Sequence, residues 1–342
     1  MSTSRNPTRN EPACRVAVLG GTGLIGSAIV RALAQGPCQV TAIGRRATPS
    51  PPSLQGANAD YVAGDLEQPG VLERLTSAHD VVIDAAAPYA LHLLTSRSRA
   101  ERYPVEHAGA RTARLIEVAV RHRIHLVHLG TQLADASRQP VSPAGLQGRL
   151  ARALFPYFQM KRVMQRQLTE AAGRGLRVTI VRPTVCIGPW DAKPRAECWV
   201  PKLVSGQIPA SLSHRINVID TRDVAAGVRA IVDASAPQGI VDLCGHNTTT
   251  DQLMRVLCDE AGVNAPGVRI PAPLGLLPLL GIEMLWATVG SPSPLPAAVV
   301  AMLCEQGWSE PSPSQQALGM APRPLASTAR DTIGWYRGLG YC

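Results

Sequence analysis

A chain of 342 residues that is 45% apolar and 17% charged has room for about two domains and a sizeable core, which excludes global disorder and a small disulfide-stapled scaffold. Its 34 basic and 25 acidic residues give a formal net charge of +9. That charge is nearly all arginine, spread without a basic run, and aromatic residues are only 4%, so a nucleic-acid surface is not expected. The eight cysteines include no C-x-x-C and no Cys/His cluster at zinc spacing; reduced thiols, a cytoplasmic location and no metal site are expected.

Residues 1–13 are polar and lack an apolar stretch, so they read as a flexible tail and not as a secretion signal. Apolar runs at Arg15–Leu19, Gln39–Ile43, Asp60–Ala63, Asp80–Asp84, His125–Leu129 and Arg177–Val181 predict strands. Between them, Leu24–Ala34, Val71–Ser77, Val105–Arg123 and Lys161–Arg174 predict helices. This alternation implies βαβ units, hence an α/β fold with a doubly wound parallel sheet covered on both faces. Past Pro183, proline and glycine become dense. The segment Ile216–Leu243 reads as strand–helix–strand and is expected to return to the main sheet. Residues 14–182, with 216–244 returning, would then form the first domain, and 183–215 with 245–342 a smaller substrate-binding lobe. The apolar stretch from Pro271 to Gly290 is broken by Pro273, Pro278 and Glu283. It reads as buried or pocket-lining helices and not as a stable membrane span, with contact at a membrane surface the lesser alternative.

Chemistry concentrates after the first strand. Gly20, Thr22, Gly23, Leu24, Ile25 and Gly26 lie in a G-x-x-G-x-x-G run between that strand and its helix. Glycine permits a tight turn and close backbone approach to a pyrophosphate, and the helix N-terminus offers unpaired N–H groups. A dinucleotide is therefore the expected ligand. At the end of the second strand, Gly44 stands where an acid would hold a ribose 2′-hydroxyl, and Arg45 and Arg46 follow. Guanidinium groups suit a 2′-phosphate, so NADP(H) is favoured over NAD(H); the alternative is a pair of solvated surface arginines. Asp65, followed by Leu66, is placed either to accept from the adenine amino group or to cap a helix. Tyr157 and Lys161 are four apart, so on a helix they share a face, where the ammonium would favour release of the phenol proton.

With these residues in view, the chain resembles the extended short-chain dehydrogenase/reductase family, whose members include epimerases, dehydratases and dihydroflavonol-reductase-like enzymes. Asp84 with Ala85, Ala86 and Ala87 is similar to the family's turn after strand four, and Thr131 to its catalytic Ser/Thr. Pro183, Thr184 and Val185 resemble the segment under the nicotinamide. The resemblance implies a Rossmann fold and hydride transfer to a carbonyl or related unsaturated centre of a fairly apolar small molecule. Tyr157 would donate the proton, Lys161 hold the nicotinamide ribose and Thr131 bind the substrate oxygen. It also implies a possible homodimer. Glu106 occupies the place of the family's relay Asn, a departure that bears on the proton route.

Tyr89 and Trp190 could line the substrate pocket or simply pack in the core. A sugar-nucleotide epimerase or dehydratase with tightly bound NAD(P) is the alternative, with Arg215 and Arg269 as its diphosphate ligands; a non-catalytic NADP-sensing regulator is a further one.

Overall fold

In the computed structural model, residues 14–47, 51–86, 104–134, 156–192, 198–234, 239–288 and 297–342 are described. The first half winds β1 (Arg15–Leu19), α1 (Leu24–Leu33), β2 (Gln39–Gly44), β3 (Asp60–Ala63), α2 (Val71–Thr76) and β4 (Val81–Asp84). It continues through α3 (Pro104–Arg121), β5 (His125–Leu129), α4 (Pro156–Gly173) and β6 (Val178–Pro183). These strands, with β10 (Gly239–Leu243), make one parallel seven-stranded sheet in the order β3-β2-β1-β4-β5-β6-β10. The chain winds outward in both directions from β1 and β4. Crossovers of this kind leave a crevice beyond the carboxyl ends of the two central strands, where ligands bind in such sheets.

Both faces are covered, as near-continuous apolar strands require. Val16 and Val18 of β1 face Ile29 and Leu33 of α1 and Val228 and Ile231 of α6 (Thr221–Asp233). Ala17 and Leu19 face the other way, toward Leu72 of α2, Leu115 of α3 and Leu168 of α4.

The remaining strands lie apart from this sheet. β7 (Val185–Ile187), β9 (Arg215–Asp220) and β11 (His246–Thr249) form a three-stranded sheet, while β8 (Ala210–Ser213) pairs with β12 (Val268–Pro271). The expected return of Ile216–Leu243 is therefore half realised. β10 joins the edge beside β6, but β9 does not reach the main sheet. β7 leaves β6 after the single residue Thr184 and pairs with β9, which also pairs antiparallel with β11. The helices of this half are α5 (Trp199–Val204), α6, α7 (Thr250–Ala261), α8 (Ala272–Thr288), α9 (Ala297–Glu305), α10 (Pro313–Ala317) and α11 (Leu325–Gly338). No described helix is long and apolar enough to cross a membrane.

One expectation needs correction. The expectation of reduced thiols throughout fails at Cys14 and Cys38, which form a disulfide with Cα atoms 4.8 Å apart. Each immediately precedes a strand, and because Arg15 pairs with Gln39 in parallel register, the two thiols are brought together. In the apolar stretch from Pro271, α8 packs one face inward and leaves the other exposed. The expected tail, residues 1–13, lies outside the described residues.

Candidate active site

The crevice opens at Gly20. Its φ of 75° lies in the left-handed region that only glycine adopts readily, and a Cβ there would lie 2.7 Å from the Ala85 carbonyl oxygen. A Cβ on Gly26 would run into the Gly20 carbonyl. Gly23 donates its N–H to Gly20 O at 3.0 Å, closing the turn over which α1 begins. Leu24 and Ile25 thus present the first amides of the helix, which have no intrahelical acceptor, and Thr22 lies in the turn before its N-cap, Gly23. Ala85 donates to Leu19 O at 3.0 Å and Ala86 to Asp84 Oδ1 at 3.3 Å, so both alanines border the crevice. Ala87 and Tyr89 lie outside the described residues. The glycine cradle fits a dinucleotide: at Gly20 and Gly26 a side chain would strike the backbone of Ala85 and Gly20, so only glycine lets the turn close this tightly at the start of the helix, where a pyrophosphate can meet backbone amides.

Beside this cradle, Arg45 and Arg46 are exposed at the end of β2. Tyr61 Oη donates to Arg46 O at 2.6 Å, and a Cβ on Gly44 would come within 2.9 Å of that phenol and 3.1 Å of Thr22 Oγ1. The position that would carry a carboxylate is thus crowded. Asp65 caps no helix, because α2 begins at Val71 with Gly70 as its N-cap. Instead Asp65 Oδ1 accepts the Glu67 N–H at 3.1 Å, while Leu66 packs into the core beneath.

Below the crevice lies a charged cluster. Asp84 and His128 are direct partners in the β4–β5 register, and His128 Nδ1 lies 3.0 Å from Asp84 Oδ2. Arg111, on α3, reaches the same oxygen at 3.0 Å, and all three side chains are buried. Burial alone would raise the Asp84 carboxyl; Arg111 and His128 outweigh it and hold the group well below the usual carboxylate range. For His128 burial prevails over Asp84, and its pKa falls. Lys161 of α4 is buried next to this cluster and donates from Nζ to Leu129 O at 3.0 Å, at the end of β5. Desolvation lowers its ammonium to about 8, opposed by the Asp84 charge.

Tyr157 stands one turn before Lys161 on α4. Its ring meets Phe158 edge-on with centroids 5.7 Å apart. It is buried in an apolar cluster with Leu133, Ala272, Val300 and Ala301. Thr131, two residues beyond the carbonyl that holds Lys161, is buried, and its Oγ1 accepts the Leu133 N–H at 3.3 Å. The fold thus gathers Thr131, Tyr157 and Lys161 around the carboxyl end of β5. Pro183 ends β6, Thr184 donates from Oγ1 to Asn217 Oδ1 at 2.8 Å, and Val185 opens β7.

Trp190 does not line this site. Arg31 Cζ lies 4.6 Å from its ring centroid, and the indole packs against the α1–α6 face of the sheet, opposite the face that carries α4. Glu106 is exposed; Arg111, further along α3, is the side chain that reaches inward. Burial pushes Cys186 up to about 12, which suits packing and not nucleophilic attack. The histidines are divided among separate partners, and no described group of His, Cys, Asp and Glu could hold a metal.

The sequence reading missed the cluster of Asp84, His128 and Arg111. A signal was present: Asp84 ends an otherwise apolar strand, and His128 is one of two imidazoles in the next.

Residues 16–244 match the family described as NAD dependent epimerase/dehydratase. The chain is 28% identical to a Synechocystis protein provisionally named dihydroflavonol 4-reductase, with 95% of each chain covered. It is 27% identical to the ceramide reductase of Caulobacter vibrioides, again over 95% of each. A solved nucleoside-diphosphate-sugar epimerase from Pseudomonas aeruginosa shares the fold, with a TM-score of 0.69 at 21% identity, covering 96% of this chain and 99% of that one.

Proposed function

The chain belongs to the NAD dependent epimerase/dehydratase family of NAD(P)-dependent enzymes, and from that footing we propose that it is an NADP(H)-dependent reductase of a carbonyl, or a related unsaturated centre, on a fairly apolar small molecule. The observation that carries this reading is the setting of Tyr157. A phenol one helical turn from a buried ammonium lies in a cluster with Leu133, Val300 and Ala301. A pocket with few convergent polar groups and apolar walls selects an apolar ligand. The relatives named for ceramide and dihydroflavonol reduction point the same way.

When bound, the dinucleotide supplies the hydride. Tyr157 delivers a proton to the oxygen that becomes negative, acting as general acid. Lys161, fixed to Leu129 O at 3.0 Å, stabilises the phenolate left behind and holds the ribose. Thr131 donates to the substrate oxygen. These donors act on charge that develops only in the transition state. Gly20, Thr22, Gly23, Leu24, Ile25 and Gly26 hold the pyrophosphate, with Ala85, Ala86 and the segment Pro183–Val185 along the rest of the cofactor. Arg45 and Arg46 receive the 2′-phosphate, and Asp65 with Leu66 flanks the adenine.

The sugar-nucleotide reading asks for arginines facing the pocket. Arg215 instead has its Cζ 4.7 Å from the Trp308 ring centroid, and Arg269 is exposed on β12. Tyr157→Phe should keep NADPH binding while lowering turnover about 100-fold or more, measured by nicotinamide absorbance across a carbonyl panel. Unchanged turnover would refute the assignment. Product formation without net NADPH consumption would favour the epimerase class, and tight NADPH binding with no turnover of any substrate a sensing role.

A further inference from the structure

α8 departs from the usual fate of an apolar helix. It is apolar on every side, a pattern that belongs to a helix enclosed by protein or lipid. One face is enclosed: Ala272 and Glu283 are buried, and Leu279 and Leu280 pack onto the cluster that holds Tyr157. The other face is bare. Leu274, Ile282 and Leu285 follow one another at helical spacing and are 68%, 43% and 68% exposed, flanked by Met284 at 64% and Trp286 at 39%. β12, which leads into α8, adds Val268 at 58% and Ile270 at 37%. Single exposed apolar residues are ordinary, whereas a row of large ones along two consecutive elements marks an interaction surface.

Charge selects the occupant. From Val263 to Thr288 the only ionisable side chains are Arg269 and Glu283. Arg269 is exposed, but Glu283 is turned inward, its Oε2 accepting the Ala297 N–H at 2.8 Å. The bare face therefore offers apolar bulk, a tryptophan and a cation, with no exposed carboxylate, on a chain of formal net charge +9. Apolar side chains enter the acyl boundary of a bilayer, tryptophan settles at headgroup level and arginine meets lipid phosphate. A second copy of the chain would bring like charge toward like charge, which opposes association. α8 has 17 residues, is interrupted by Pro278 and is about 25 Å long at 1.5 Å per residue, so it is too short to span.

We propose that the outer face of α8, with β12 beside it, docks in the plane of an anionic lipid bilayer. If Tyr157 is the reacting group, as argued above, the docked helix carries an apolar substrate from the acyl region to the cluster on its opposite face.

The test is co-sedimentation of the full chain with vesicles of phosphatidylcholine and phosphatidylglycerol, beside pure phosphatidylcholine, at physiological ionic strength. Binding is expected, stronger to the anionic vesicles, with a blue shift of tryptophan emission that Trp286→Phe removes. The double variant Met284→Glu, Leu285→Glu should partition at least about tenfold less, since each change exchanges a burying side chain for a charge. Its thermal melt should be unchanged because both positions are exposed. No binding, or equal binding by wild type and double variant, would overturn the proposal. A solution dimer that the double variant splits would place a second copy on α8 and overturn it equally. Neither readout involves turnover, so docking and the reductase reading fail separately.

Discussion

Asp84 is a carboxylate at the end of a buried strand, and its charge survives there because Arg111 and His128 both touch it. Removing one member of such a group strands the others in a poorly solvated interior. Asp84→Asn should therefore cost about 3–5 kcal/mol of stability, read from urea melts. The folded carboxyl lies below its ordinary value, so its contribution is present above about pH 4 and is lost as the pH falls through the folded value. The same substitution has a kinetic signature. Lys161, at about 8, loses its proton as pH rises, and turnover that depends on the ammonium should fall on that alkaline limb. Asp84 raises the Lys161 value, so Asp84→Asn should move the limb to lower pH in a kcat–pH profile. Gly20, Gly26, Tyr157 and Lys161 were legible in the sequence because their signal is local spacing. The Asp84–His128 pair was not, because it depends on which residues of two separate strands lie side by side. For Trp190 the sequence leaves pocket and core both open, because its φ of 78° turns the chain in a direction that no local pattern announces.

At the scale of elements, strand identity followed from composition, and the observed limits differ from the sequence reading by only a residue or two. α4 begins at Pro156 and not at Lys161, because proline suits the first helical turn; Tyr157 thereby enters the helix. β9 was assigned to the main sheet because an apolar run states that it is a strand and not which sheet receives it. The turn after β2 yields a prediction. Gly44 is crowded by Tyr61 and Thr22 while Arg45 and Arg46 stand exposed, so replacing both arginines with alanine should reduce the proposed preference for NADPH over NADH about 10- to 100-fold. That is the scale of one hydrogen bond to a charged group, about 1.5–3 kcal/mol. The ratio of kcat/KM values for the two cofactors measures it.

Across the whole molecule, the last helix ties distant parts together. Thr328 Oγ1 donates to Asp220 Oδ2 at 2.7 Å, and Trp335 Nε1 to Asp191 O at 2.9 Å. Ile333 and Tyr336 are buried in the cluster built by β9, α5 and α7. Ile333→Ala should cost about 2–5 kcal/mol, the range for buried large-to-small changes, with the loss visible as an earlier thermal midpoint. These ties also order events at the ribosome. The seven-stranded sheet has all its strands once Leu243 has been synthesised, yet the cluster of Ile216, Val218 and Leu257 lacks Ala329, Ile333 and Tyr336 until α11 arrives. A nascent chain stalled before Leu325 would carry a finished nucleotide cradle beside an open apolar wound, and so would be a natural client for a holding chaperone.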